Sequence, residues 1–77
     1  MDIYIVIAHK WGDCNNHSYP VTVSDNEQLA RRYADLEHKE RDGTYGVWVY
    51  KKTMNAQHLI TDKVVYKTKA KLKKENE

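Results

Sequence analysis

The chain has no phenylalanine, one proline, one cysteine and three glycines in 77 residues, and each shortage excludes something. Without Phe, every aromatic ring comes from six Tyr and two Trp, so each ring carries a polar group that must meet a partner or reach water. The single cysteine, Cys14, excludes an internal disulfide and accords with a reducing compartment. Gly12, Gly43 and Gly46 stand apart from one another, so no glycine-rich loop cradles a phosphate. The opening apolar run, Ile3 to Ala8, is too short to span a bilayer and follows Asp2 without a basic leader, which predicts a cytoplasmic protein that does not engage membranes. A chain of this length makes one domain, residues 1–77, with a modest core and no room for a large enclosed active site. Residues 73–77 are expected to fray.

What the chain does contain is charge in a pattern. Hydrophobic residues make up 40% and charged residues 31%, the balance of a globular domain rather than a disordered one. The net charge of +2 is too small to imply nucleic acid by itself, but its distribution is uneven. Lys63, Lys67, Lys69, Lys71 and Lys73 occupy alternate positions, with Val65 in the missing place, and Val64, Tyr66, Thr68, Ala70 and Leu72 run between them. A strand here has one face of ammonium groups and one face suited to a core. Such a row protects an exposed sheet edge, or attracts phosphates or an acidic protein surface.

Ile3 to Ala8 is a β-branched and aromatic run suited to a central strand covered or flanked on both sides. A polar loop follows from His9 to Ser18, then a short strand from Tyr19 to Val23, with Pro20 favouring a sheet edge. Ser24 and Glu27 read as a capping box, opening a helix from about Asp25 to about Arg41 along which Leu29, Ala30, Tyr33 and Leu36 recur at helical spacing with Ala34 beside them, and which is expected to bury Leu29, Tyr33 and Leu36. Asp42 and Gly43 stop it. Tyr45 to Lys52 is the third strand, with Val47 and Val49 on one face and Trp48 and Tyr50 on the other. Met54 to His58 forms a turn, and the lysine strand begins at Leu59. The resulting β-β-α-β-β order predicts an α+β domain, a four-stranded, mainly antiparallel sheet of order 2-1-3-4 with one helix packed on one face. The second face is then solvated, covered by the loop or buried against a partner, and self-association stays open.

Cys14 and His17 have the spacing of a metal-ligand pair, with His9 and Asp13 nearby, but a zinc site needs three or four converging ligands. No metal or other cofactor is expected. His9, His17 and Cys14 do not define an oriented nucleophile and base, so the chain reads as non-enzymatic. Trp11, Tyr19, Trp48 and Tyr50 are the rings with no evident place in the core and are the candidate partner contacts. Lys63, Lys67, Lys69, Lys71 and Lys73 are candidate contacts to phosphate or to an acidic partner, which makes nucleic-acid or nucleotide-signal binding the alternative reading.

Three stretches also carry a resemblance. Ile3-Tyr4-Ile5-Val6, the passage Val21-Thr22-Val23-Ser24-Asp25-Asn26-Glu27-Gln28-Leu29-Ala30 and the strand Gly46-Val47-Trp48-Val49-Tyr50 together resemble small bacteriophage-encoded accessory proteins of the host-takeover and anti-defence kind. The resemblance implies a stoichiometric inhibitor of a host protein complex in the cytoplasm of a bacterium, including CRISPR-type defence nucleases, and transfers no functional residue. The absence of a concentrated acidic surface argues against DNA mimicry.

Overall fold

The computed structural model describes residues 2–13, 17–54 and 59–71. In the first apolar run Tyr4, Val6 and Ala8 are buried while Ile3, Ile5 and Ile7 are only partly covered, the period of a strand with one core face. This strand, β1 (Asp2–Lys10), pairs antiparallel with β2 (Ser18–Ser24) on one side and with β3 (Tyr45–Met54) on the other. The last strand, β4 (Leu59–Lys67), pairs antiparallel with β3, and the helix α1 (Glu27–Glu40) links β2 to β3. The sheet order is β2-β1-β3-β4, so the expected α+β topology is the observed one. The apolar strands are central, while the proline-bearing and lysine-bearing strands form the edges, where a missing donor or a charge does least harm. The core is a thin layer of Tyr4, Val6, Ala8, Val47 and Val49 under Ala30 and Ala34 of the helix.

Each edge strand carries a bulge, and each bulge holds a valine. Val6 pairs with Thr22 and Ile7 with Pro20, leaving Val21 extra; Val49 pairs with Tyr66 and Tyr50 with Val64, leaving Val65 extra. Both valines pack against the margin of the core. A bulge shifts the alternation of everything beyond it. Lys63 therefore lies opposite Lys51 on the helix side, whereas Lys67 lies opposite Trp48 on the other side. The expected single face of ammonium groups is corrected to a row that changes face at Val65. Lys69 and Lys71 are exposed beyond the end of β4, and Lys73 lies outside the described residues.

The helix forms where expected, but its cap and its buried face differ. The cap is Asn26, whose side-chain oxygen accepts the Leu29 amide at 3.0 Å, rather than Ser24, whose hydroxyl instead accepts the Asn26 amide at 3.0 Å. The residues that meet the sheet are Ala30 and Ala34, both fully buried, while Leu29, Tyr33 and Leu36 are 39%, 41% and 51% exposed. The reason follows from the missing phenylalanines. The core is rimmed by Tyr19, Tyr45 and Tyr66, and α1 is turned to give the hydroxyls of Tyr19 and Tyr66 their partners and to meet the backbone of Tyr45. The Tyr19 hydroxyl donates to Glu37, the Tyr66 hydroxyl donates to Asp35 at 2.6 Å, and Nδ1 of His38 lies 2.8 Å from the Tyr45 carbonyl oxygen. Alanine then lets the helix lie close to the strands, and the larger apolar side chains are carried outward.

The loop expected from His9 to Ser18 is shorter than read. His9 and Ser18 are strand residues paired with each other, and the turn begins at Trp11 and Gly12, both in the left-handed region with φ of 60° and 69°. The Asp13 amide reaches the Lys10 carbonyl at 3.1 Å, closing a type I′ turn. Asp42 and Gly43, at φ 56° and 74°, make the same turn after α1, closed by the Thr44 amide on the Arg41 carbonyl at 3.0 Å. Cys14 and the turn expected from Met54 to His58, apart from Met54 at the end of β3, lie outside the described residues, as do 73–77. Among the described residues no helix is long and apolar enough to cross a membrane.

Candidate protein-binding face

Among the described residues the one helix lies on one face of the sheet, and the other face is built by strand side chains. Alternation from the buried Val6, Ala8, Val47 and Val49 directs Ile3, Ile5, Ile7 and His9 of β1 and Trp48 and Tyr50 of β3 to this open face. Ile5 lies opposite Tyr50, and Ile7 opposite Trp48, so aliphatic and aromatic side chains form cross-strand pairs along the two central strands. Val23 of β2 pairs with Ile5 and is 61% exposed; Val64 of β4 pairs with Tyr50. The open face thus carries apolar side chains from all four strands, with Lys52, opposite Ile3, and Lys67 at its margins.

Its centre of polarity is His9, only 5% exposed. Nδ1 of His9 lies 2.7 Å from Oγ of Ser18 and Nε2 lies 2.9 Å from the Tyr50 hydroxyl. A neutral imidazole has one donor and one acceptor, and either tautomer is satisfied here because both hydroxyl partners can donate or accept. Burial disfavours the imidazolium and lowers the pKa of His9, with the nearby Asp13 carboxylate opposing that shift. The ring of His9 meets Trp48 edge-on at 4.5 Å between centroids and Tyr50 at 6.1 Å, and Trp48 and Tyr50 lie 6.0 Å apart. Lys67 reaches across from the edge strand and places Nζ 4.2 Å from the centroid of Trp48. His9 is therefore a brace that fixes two rings, while Lys67 sets a positive charge on the rim.

A second ring cluster lies at the same end of these strands but on the helix side. Tyr19 and Tyr45 meet at 5.4 Å between centroids, His17 stands 6.0 and 6.3 Å from them, and the Arg41 guanidinium lies over both tyrosines at 5.2 and 5.7 Å. Nε of Arg41 donates to the Tyr19 hydroxyl at 2.8 Å and to Glu37 at 3.2 Å. Burial and the hydrogen bond to Glu37 raise the pKa of the Tyr19 phenol. The Tyr19 hydroxyl, Glu37 and Arg41 together tie the end of α1 to β2.

Of the four rings singled out from the sequence, Trp48 and Tyr50 come together on the open face. Tyr19 is on the opposite side and internally engaged, and Trp11 is half-buried in the turn after β1, its amide bonded to the Thr44 carbonyl at 2.8 Å. Of the lysines, Lys67 belongs to the open face and Lys63 does not. Sequence reading missed the isoleucines and His9. The signal was present in the alternation of Ile3, Ile5 and Ile7 with Tyr4, Val6 and Ala8, which a continuous apolar run conceals. Among the described residues no group of three or more potential metal ligands converges. A depression lined by Asn26, Gln28, Leu29 and Arg32 holds about 190 Å³, below the size usual for a small-molecule site. Compared with protein-family models, with curated proteins and with solved structures, the chain matches none.

Proposed function

We propose that the protein is a non-enzymatic binding module, and that it acts by laying its open sheet face on a protein partner. The observation that carries this reading is the apolar surface of Ile3, Ile5, Ile7, Trp48 and Tyr50, to which the described chain supplies no second layer. Rings braced by neighbouring hydrogen bonds lose little conformational freedom on binding, and Trp and Tyr are the usual anchors of interface energy. His9, engaged on both ring nitrogens, is held in place rather than presented for chemistry. The resemblance to phage accessory proteins gives the partner its class: a host protein complex of a bacterial cell, with a CRISPR-type defence nuclease as the target to try first and blockade as the outcome.

The test is capture from bacterial lysate on immobilised protein, with wild type compared with Trp48→Ala and Ile5→Ser after each variant is shown to melt cooperatively. A stoichiometric protein that survives high salt and nuclease treatment, and is lost with both variants, supports the reading. Capture that disappears on nuclease treatment or in moderate salt, and that depends on Lys67, Lys69 and Lys71 instead of Trp48, assigns the protein to nucleic acid.

A further inference from the structure

The ridge of Leu29, Tyr33 and Leu36 on α1 is a second apolar surface, on the opposite side of the sheet from the open face. At 3.6 residues per turn these three side chains fall within roughly 60° of arc, and roughly a third of a turn separates them from the alanine face that meets the sheet. This spacing of four and then three is that of the anchors by which one helix packs along another. The ridge has unlike flanks. On the sheet side stands Glu37, already bonded by Tyr19 and Arg41. On the outer side stand Arg32 and Lys39, both exposed and joined to no ion pair among the described residues, although neighbouring Arg31 and Arg41 pair with Glu27 and Glu37. Glu40 lies beyond Leu36 at the C-terminal end. At the other end Leu29 and Arg32 line the depression with Asn26 and Gln28, a seat for one side chain.

Charge decides between occupants. A second copy packed antiparallel about a two-fold axis through Tyr33 would bring each Arg32 against its own counterpart, because like flanks meet in that arrangement. A parallel pair would need the sheet-side flank, where Glu37 is committed and the strands intervene. We propose that the ridge docks an amphipathic helix of a different protein, its apolar stripe packed on Leu29, Tyr33 and Leu36 and its acidic flank set against Arg32 and Lys39. This goes beyond the open-face reading and gives the protein two contact surfaces facing opposite ways.

The probe is a synthetic helical peptide with leucines along one face and glutamates along one flank, with a control in which lysines replace the glutamates. Wild-type protein binds the glutamate peptide at least about tenfold more tightly than the lysine peptide. Leu29→Ser with Leu36→Ser weakens that binding by about tenfold or more without moving the melting midpoint, since both side chains are exposed. Arg32→Glu with Lys39→Glu reverses the preference toward the lysine peptide, and Trp48→Ala leaves binding unchanged. Binding of neither peptide, equal binding of both, or preference for anionic lipid vesicles overturns the proposal. So does a wild-type dimer in sedimentation that the double serine variant abolishes. Because the open face is tested with Trp48→Ala and the ridge with the serine pair, failure of either reading is separable from failure of the other.

Discussion

Gly46 is glycine because of what lies above it. A Cβ at this position would stand 3.0 Å from the Cα of Gly12 and 3.4 Å from the Thr68 carbonyl oxygen, and both are backbone atoms that cannot swing aside. Gly46→Ala should cost about 1 to 3 kcal/mol in denaturant titration; a neutral result would mean that the turn after β1 is not held against β3. The turn makes its own test at Trp11, a bulky side chain held at φ 60°. Trp11→Ala and Trp11→Gly lose the same ring, so the difference between them reports the backbone alone. The glycine variant should be the more stable by about 1 kcal/mol. His9 adds a dependence on pH. Its pKa is lowered by burial, so the unfolded chain binds the proton first, and stability is full above the ordinary value of about 6.5 and falls as pH drops below it. Melting between pH 7 and 5 should show the loss, and His9→Gln should reduce it. An unaltered profile in that variant would place the titrating group elsewhere. Neither the Gly46 contact nor the setting of His9 was legible in the sequence, because each depends on segments far apart in the chain: Gly12 with Gly46, and His9 with Tyr50.

At the scale of elements, helix and strands were legible because their signals are local. The alternation in Tyr45 to Lys52 gives a strand with two unlike faces, and Asp42-Gly43 gives the turn that ends the helix. The rotation of the helix was not legible. Leu29, Tyr33 and Leu36 are the most apolar residues at helical spacing, and a rule that buries the most apolar face selects them. The opposing requirement comes from the Tyr19 and Tyr66 hydroxyls and the Tyr45 backbone carbonyl on the sheet, and only the assembled fold shows that Glu37, Asp35 and His38 must face them. Two substitutions separate the alternatives. Leu36→Asp, lethal to folding if the leucine face were the core, should change stability by no more than about 0.5 kcal/mol at a side chain 51% exposed. Ala34→Leu should cost about 1 to 3 kcal/mol by forcing the helix off the sheet. The cap is equally divisible: Asn26→Ala should cost about 1 kcal/mol, and Ser24→Ala less, since only the Asn26 side chain satisfies an amide inside the helix.

For the molecule as a whole, the governing fact is that the described residues cover the four-stranded sheet on one side, so adjacent residues of one strand live in different solvents. Topology followed from the sequence because each edge strand declares itself, one by Pro20 and the other by its lysines. The placement of the lysines did not follow, because a bulge at Val65 leaves no mark in a pattern that was already broken there. The one-sided sheet can be tested with a pair of neighbours. Val6 is fully buried beneath α1, and Ile5 faces outward between Val23 and Tyr50. Threonine is close to isosteric with valine but brings a hydroxyl into the core, so Val6→Thr should cost about 1 to 3 kcal/mol. Ile5→Thr keeps a β-branched side chain suited to a strand and puts its hydroxyl within reach of water, so it should cost about 1 kcal/mol or less even though it removes more carbon. The larger deletion is thus expected to be the milder one, an inversion that only a one-sided sheet produces. Equal or reversed costs would mean that the open face is buried in solution, and the same titrations repeated across protein concentration would show whether a second copy covers it.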